Sequence, residues 1–295
     1  MSQMFFNATV LDRRALTPGM VRLTFGGPDL AAFAGTGVPD EYLRLFFPDA
    51  ASGRLYLPVI TEDGRWTYPD GQDVIRCSTY TVRNHRQDKG EIDIDFVVHE
   101  GGLASEWAQK AAPGDTITIN RPRGLYTPPG DARWQLLMAD ATGLPALARI
   151  LETMPEGIET RVFVEVAEPA HEQPLAQRPG VSITWLHGSG NGIAASRMEE
   201  VIRSLTLPAT PGYIWVAGEQ KVLRAIRRHV RKDLGYAAEN YELVGYWIHE
   251  GEAWEARWKA LPESVKAAID ASWDSGRDRE ELVDEYHETL DKFGL

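Results

Sequence analysis

Arg76-Cys77-Ser78-Thr79-Tyr80-Thr81-Val82-Arg83 is the stretch on which the reading of this chain turns. Taken as a strand, it puts Arg76, Ser78 and Tyr80 on one face, where a cation, a hydroxyl and an aromatic ring can meet one planar anionic ligand. Its surroundings are strand-like as well. Residues 7–16, 20–25, 41–47, 74–83, 91–98 and 115–120 are apolar or alternating runs, punctuated by Gly-Pro, Pro-Asp, Asp-Gly and Pro-Gly pairs. Six such runs predict an antiparallel barrel or sandwich. One short helix, 103–111, is expected among them, entered through Gly101-Gly102.

Beyond the stiff stretch Tyr126-Thr127-Pro128-Pro129-Gly130 the pattern changes. Strands are expected at 134–139, 160–167, 182–186, 212–217 and 241–247, with helices at 144–151, 193–205 and 221–234 between them. This alternation predicts an α/β unit built on a parallel sheet. The expected division is therefore 1–127 as a six-stranded antiparallel barrel or sandwich, 131–250 as a parallel-sheet α/β domain, and 251–295 as a C-terminal helical tail. The tail carries Trp254, Trp258, Leu261, Leu282, Tyr286, Leu290 and Phe293 near helical spacing, with seven carboxylates between Asp278 and Asp291. It reads as a helix packed on the body or on a second subunit.

Composition narrows the chemistry. At 295 residues the chain is long enough for about two domains of roughly 150 residues each. With 31 Lys and Arg against 43 Asp and Glu, its net charge of −12 repels nucleic-acid backbones and anionic lipid. Cys77 is the single cysteine, so neither an intrachain disulfide nor a Cys-rich metal cluster can form, and a reducing, cytoplasmic setting is expected. There is no signal-peptide pattern at the start and no run approaching the ~20 apolar residues of a membrane span. Seven His residues are present, but no His-x-x-x-His or Glu-x-x-His helix places two ligands on one face, and Gly-x-Ser-x-Gly and Walker loops are absent, so a protein-bound metal, acyl transfer and phosphoryl transfer lack support.

The stretch around Tyr80 reads either as an ordinary barrel strand or as one face of a site for a planar anionic cofactor. A flavin gains from stacking on an aromatic such as Tyr80, needs a donor near its N5 and needs cations or N–H groups for its pyrophosphate. His99-Glu100-Gly101-Gly102-Leu103-Ala104-Ser105-Glu106-Trp107 supplies a strand–glycine–helix junction whose open N–H groups favour a phosphate, with the Ser105 hydroxyl beside them. Trp107 reads equally as a core anchor. In the second half, Asp140-Ala141-Thr142-Gly143-Leu144-Pro145 and Ala217-Gly218-Glu219 each follow a strand at the carboxyl edge of the expected sheet, where open α/β folds bind nucleotides.

Tyr80-Thr81-Val82-Arg83, Asp93 through His99, Gly102 through Ala108, Pro113-Gly114-Asp115, Asp140 through Ala146, Trp215 through Glu219 and Gly245-Tyr246-Trp247 together resemble the siderophore-interacting protein family, in the family's order and over about residues 5 to 250. That family is one of ferredoxin-reductase-like flavoproteins, in which an FAD-binding barrel precedes a nicotinamide-nucleotide domain and NAD(P)H reduces Fe(III) in siderophores. The resemblance implies FAD held by Arg76, Ser78, Tyr80, Thr81, Arg83, Val97, Val98, His99, Gly102, Ala104, Ser105 and Trp107. In particular it implies Tyr80 against the flavin ring, Thr81 near N5, Val97 to His99 beside the ring and ribityl chain, and Gly102, Ala104 and Ser105 at the pyrophosphate. It places NAD(P)H at Asp140, Thr142, Gly143, Leu144, Pro145, Glu165, Ala217, Gly218 and Glu219.

Two departures stand out: Ser78 occupies a position where the family usually has Arg, leaving Arg76 and Arg83 as the candidate phosphate cations, and Leu103 replaces a usual Pro. Glu165 and Glu168 fall where a carboxylate would accept ribose hydroxyls and repel a 2′-phosphate, which favours NADH over NADPH. Lys221, Arg224, Arg227, Arg228, Arg231 and Lys232 make a basic helix, either a solvated face or a positive rim that draws in an anionic ferric chelate; Lys221, Tyr246 and Trp247 are the residues expected nearest that substrate. The expected activity is flavin-mediated reduction of a ferric siderophore, with no side chain acting as general base. Two other readings stay open: a reductase that passes electrons to a ferredoxin-type protein, and a non-catalytic siderophore-binding or iron-sensing protein.

Overall fold

The computed structural model describes residues 3–49, 51–60, 66–67 and 76–295. The chain forms two compact units. The first comprises Met1–Thr127, Ala141–Glu156 and Glu168–Pro179, and the second comprises Pro128–Asp140, Gly157–Ala167 and Gly180–Leu295.

The first unit is a seven-stranded antiparallel sheet. In chain order its strands are β1 (Phe5–Thr17), β2 (Met20–Gly26), β3 (Tyr42–Phe46), β6 (Cys77–Thr81), β7 (Asn84–Arg86), β8 (Glu91–Val97) and β9 (Thr116–Asn120), and a separate ribbon joins β4 (Val59–Ile60) to β5 (Trp66–Thr67). The spatial order is β6-β3-β9-β1-β2-β8-β7. Alternation sets the buried face: Phe6, Ala8 and Val10 on β1, Val21, Leu23 and Phe25 on β2, and Ile92, Ile94 and Phe96 on β8 form one apolar core. The other face of β8 is acidic, and each carboxylate meets its partner directly across the ladder. Asp95 sits opposite Arg22 and accepts two hydrogen bonds from it at 2.6 and 2.8 Å, while Asp93 sits opposite Thr24 and takes that hydroxyl at 2.8 Å. A one-residue slip would bury both carboxylates among the core side chains, so the charge pairs and the apolar face enforce the same register. Helix α1 (Leu103–Lys110) lays Ala104 and Ala108 into this core.

Six strands were expected here; among the described residues seven form the sheet and two more form the ribbon. The expected run 74–83 contributes β6 only over Cys77–Thr81, and Val74 and Ile75 lie outside the described residues. After Val82 and Arg83 the chain starts the short β7, which pairs with β8 at the opposite end of the sheet. Tyr80 of β6 packs on Phe96 of β8 with ring centroids 4.4 Å apart, so the two ends of the sheet roll toward one another as in a barrel.

Helix α2 (Leu144–Thr153) groups with the first unit. Its Arg149 donates to the Val82 carbonyl and to Glu41, and its Glu152 takes Arg83 bidentately at 2.6 and 3.0 Å.

The second unit carries a five-stranded parallel sheet of β10 (Trp134–Ala139), β11 (Glu159–Val166), β12 (Val181–His187), β13 (Gly212–Glu219) and β14 (Tyr241–Trp247), in the order β12-β11-β10-β13-β14. Every residue of the central strand β10 is buried, which accounts for its continuous apolar sequence. Strand order reverses between β10 and β13, the place where such sheets open a crevice beyond their carboxyl ends. Helices α3 (Met198–Ser204) and α4 (Gln220–Arg228) contribute Met198, Ile202, Leu223 and Ile226 to a core shared with Leu136, Met138, Ile214 and Val216. The helix expected over 193–205 begins five residues late. Gly188, Gly190, Asn191 and Gly192 all have left-handed backbone, with φ between 59° and 74°, and hold the preceding segment as a loop. The helix expected over 221–234 continues past α4 as a π-helical turn, His229–Asp233.

The tail is helical, as α5 (Gly251–Lys259), α6 (Glu263–Trp273) and α7 (Arg279–Lys292). Leu261, Leu290 and Leu295 form a small core of their own with Trp254, Trp258, Val265 and Tyr286. No helix among the described residues is long and apolar enough to cross a membrane.

Candidate functional site

In the first unit the flavin expectation can be tested residue by residue. Register places Ser78 opposite Leu45 and Tyr80 opposite Leu43, so both lie on the core-facing side of β6, and Thr81 lies on the other side, 3% exposed. The Tyr80 ring is half-buried against the core, and desolvation pushes its phenol far above the usual tyrosine range, so it stays neutral. Among the described residues β6 pairs with β3 alone, so its outer edge presents backbone donors and acceptors to a ligand. Val97 and Val98 are half-buried at the end of β8, where Val98 N–H bonds to the Gly19 carbonyl at 2.8 Å. His99 follows them, exposed. The imidazole lies over Gly102, where a Cβ would come within 2.5 Å of the ring. Gly102, at φ 100°, is the N-cap of α1 and supplies no side-chain cap, so the first N–H groups of the helix face outward beside His99. A stacking ring, an open strand edge and an uncapped helix terminus are what a flavin dinucleotide requires, and these residues fit one.

Several of the other expected residues have partners within the chain. The Arg83 guanidinium is bidentate on Glu152. Arg76 donates to the Pro48 carbonyl at 3.0 Å. The Ser105 hydroxyl is 1% exposed and exchanges two hydrogen bonds with the backbone of His99, both 2.9 Å, which shapes the strand–helix junction. Trp107 stacks parallel to Phe25 at 6.2 Å and meets Phe47 edge-on at 6.0 Å, which makes it a core anchor; Ala104 is buried beside it.

In the second unit a cavity of about 580 Å³ opens at the carboxyl ends of the parallel strands. Asp140, Glu165, Glu219, Lys221, Trp247 and His249 line it, together with the loop 190–196. Asp140 N–H bonds to the Ala217 carbonyl at 3.2 Å, and the Asp140 carboxylate accepts the Trp247 indole N–H at 2.7 Å. Gly218 lies beneath that carboxylate: a Cβ there would stand 2.8 Å from Asp140 Oδ2. Thr142, Gly143, Leu144 and Pro145 lead into and begin α2, with Pro145 in the first turn, where its missing N–H costs nothing. Glu219, expected at the nucleotide, lines the cavity and is also the N-cap of α4, accepting from Val222 N–H at 2.9 Å. Glu165 was expected at a ribose. It is 1% exposed, and its Oε1 is taken by Ser189, Ser196 and Arg197, which removes the basis for an NADH preference. Glu168 belongs to the first unit, where it caps a 3-10 turn.

Sequence reasoning passed over the loop that walls this cavity. Gly188-Ser189-Gly190-Asn191-Gly192 directly after a strand was the available signal, since three glycines in five residues mark backbone of special conformation. His249 was missed as well, with no pattern around it to draw attention.

Two family models match the chain in succession: the siderophore-interacting FAD-binding domain over residues 9–126 and the siderophore-interacting protein domain over 132–250. The chain belongs to the siderophore-interacting protein family. Among its relatives is the NADPH-dependent ferric-chelate reductase of Escherichia coli (strain K12), 32% identical over 246 residues that cover 82% of this chain and 92% of the relative. The ferric vibriobactin reductase of Vibrio cholerae is 31% identical over 242 residues, 80% of this chain and 86% of that one. A siderophore utilization protein from T. fusca superposes with a TM-score of 0.71 at 32% identity, covering 84% of this chain and 95% of that structure.

The siderophore-interacting protein models end at residue 250, and the tail beyond them explains the basic helix. Arg227 pairs with Glu280 at 2.6 Å and also with Asp284, Arg231 and Lys232 reach Asp284 at 2.9 and 2.7 Å, Arg228 meets Asp291 at 2.5 Å, and Arg224 donates to the Leu295 carbonyl. Acidic α7 therefore neutralises basic α4: Arg224 and Arg227 are buried, while Arg228 and Lys232 stay exposed with their charges paired. Lys221 differs from them: it is exposed at the cavity and pairs with no carboxylate among the described residues. Tyr246 is the extra residue of a bulge, because Gly218 aligns with Gly245 and Glu219 with Trp247.

Proposed function

We propose that this protein reduces the Fe(III) of a siderophore with NAD(P)H through bound FAD. One observation carries the reading: a flavin-type antiparallel unit with a stacking tyrosine at an open strand edge is followed, in the same chain, by a parallel sheet with a nucleotide-sized cavity at its carboxyl ends. The names of the Escherichia coli and Vibrio cholerae relatives support a ferric chelate as the acceptor.

The protein's part is placement. Tyr80, backed by Phe96, offers a neutral aromatic face; the β6 edge offers hydrogen-bonding groups to a heteroaromatic rim; and the α1 N-terminus with His99 receives the pyrophosphate. Asp140 orients Trp247 at the cavity, and Lys221 supplies a positive charge at its mouth for the nucleotide phosphates or the chelate. A bound flavin supplies the conversion of a two-electron hydride donor into one-electron reduction of iron. Siderophores hold hard Fe(III) through charged oxygen donors, so lowering the metal's charge loosens the complex without any bond of the chelator being cut. No side chain has to move a proton at the iron. With Glu165 engaged in its loop, nothing in that carboxylate selects against a 2′-phosphate, and NADPH as well as NADH is expected to serve.

The test is an anaerobic titration of the purified yellow protein with NADH and with NADPH, followed by a ferric siderophore and ferrozine. Bleaching near 450 nm and then formation of the coloured Fe(II) complex are expected. A colourless protein that binds the chelate would identify a sensor, and rapid bleaching without iron turnover would identify a reductase for a protein acceptor.

A further inference from the structure

We propose that Glu165 is a positioning residue that holds the 188–197 loop in the shape needed for the nucleotide cavity, and not a ligand of the nucleotide. The inference rests on the NAD(P)H reading above for its effect on catalysis, but not for its effect on the loop. Glu165 stands near the carboxyl end of β11, opposite Leu186 of β12, and is 1% exposed. Its Oε1 receives the hydroxyl of Ser189, the hydroxyl of Ser196 at 3.1 Å and the backbone N–H of Arg197 at 2.5 Å. Its backbone carbonyl receives the Asn191 amide at 3.1 Å. One residue thus grips both ends of the loop and its middle.

The loop needs such a grip. Gly188, Gly190, Asn191 and Gly192 are all left-handed, a conformation that glycine reaches without strain but also leaves easily, so the ordered loop loses much backbone entropy. Gly190 has a second constraint, because a Cβ there would overlap Glu165 Oε2. Oε2 itself is buried and receives no hydrogen bond from any described residue, so only Oε1 works as an acceptor. Arg197 N–H, which Oε1 takes, precedes α3, and this explains why that helix begins at Met198 and leaves 193–196 as cavity wall. Gly190, Asn191, Gly192 and Ser196 line the cavity, so any displacement of the loop changes the shape of the wall.

Because one carbonyl-type oxygen carries all three side-chain contacts, Glu165→Gln should preserve the loop, whereas Glu165→Ala and Gly190→Ala should release it. Hydrogen exchange of the holoprotein without nucleotide reads the loop directly: amides of 189–197 should exchange at least about tenfold faster in Glu165→Ala and in Gly190→Ala, and at the wild-type rate in Glu165→Gln. Stopped-flow reduction should then show the apparent Kd for NADPH raised about 10- to 100-fold in the two released variants with the limiting rate of flavin reduction unchanged. Photoreduced variants should reduce a ferric chelate at the wild-type rate. Weakened nucleotide binding with unchanged loop exchange would make Glu165 a ligand and overturn the proposal, as would loop exchange in Glu165→Ala equal to wild type. If Glu165→Ala does not fold, Gly190→Ala and Glu165→Gln carry the same two outcomes. A wild-type flavin that no nicotinamide nucleotide reduces would sink the functional reading while leaving the exchange result to judge the loop.

Discussion

Trp247 donates its indole N–H to Asp140 at 2.7 Å, and this bond ties the carboxyl end of β14 to the carboxyl end of β10 across the intervening β13. The glycine of β13 makes room for it, since a side chain at Gly218 would press on the same carboxylate. Three strand ends thus meet around one acceptor at the cavity.

A double-mutant cycle measures that bond. A hydrogen bond to a charged acceptor contributes about 1.5–3 kcal/mol, so Asp140→Ala and Trp247→Phe should each destabilise, and the pair should show a coupling of about 1–2 kcal/mol in urea unfolding. Gly218→Ala should weaken nucleotide binding by pushing Asp140 aside. A coupling near zero would mean that the two side chains act independently.

Tyr80 should matter through its ring and not its hydroxyl. Tyr80→Phe keeps the contact with Phe96 and should retain flavin, as judged by the ratio of absorbance at 450 to 280 nm. Tyr80→Ala removes a half-buried aromatic and should cost about 2–3 kcal/mol of stability, together with most of the bound flavin. Full flavin content in Tyr80→Ala would remove Tyr80 from the site.

The clamp between α7 and α4 centres on Asp284, which faces Arg227, Arg231 and Lys232. Arg227 is nearly buried, its side chain 8% exposed, and Asp284→Ala leaves it only Glu280 as a partner, so the substitution should cost about 1.5–3 kcal/mol. The exposed Arg203–Glu199 pair one helix away should cost less than about 1 kcal/mol when Glu199 is replaced by Ala. Limited proteolysis should release the tail early in the Asp284 variant and not in the Glu199 variant.

Docking of the tail should weaken in acid in two stages. Burial, with the charges of Arg227 and Arg224 adding to it, pushes the His287 imidazole down to about 4 from an ordinary value near 6.5. A depressed folded-state value means that stability is whole above pH 6.5 and is lost as pH falls toward 4, when the unfolded chain binds a proton that the folded chain refuses. Burial opposes the charge of Asp284 as well, but hydrogen bonds from Lys232 and Arg231 outweigh it and hold that carboxyl below its usual range, so its share of stability disappears only at still lower pH. His287→Gln should flatten the first stage of a thermal-unfolding profile against pH and leave the second.

Local pattern carried much of the architecture. The E-I-D-I-D-F alternation of β8 announces a strand with one apolar and one charged face, and Arg22 and Asp95 then show the charged face paired across the ladder. The unbroken apolar run of β10 announces a strand buried on both sides. Ordered motifs along the chain pointed to the family, and the stacking tyrosine and the glycine before α1 are where they were expected. Arg83 and Glu165 show the limit: each has the right chemistry at the right spacing to hold a cofactor, and each is engaged by a neighbour from elsewhere in the chain.

From its residues alone this chain was committed to two kinds of sheet, to their order, and to the edges where ligands gather, because side-chain periodicity and turn chemistry act over a few neighbouring positions. Which polar groups remain available at those edges was settled by contacts spanning tens of residues, such as Glu165 with Arg197 and Arg227 with Asp284. A hydrogen-bonding group joins whichever partner the fold brings within about 3 Å, and one-dimensional spacing does not encode that distance.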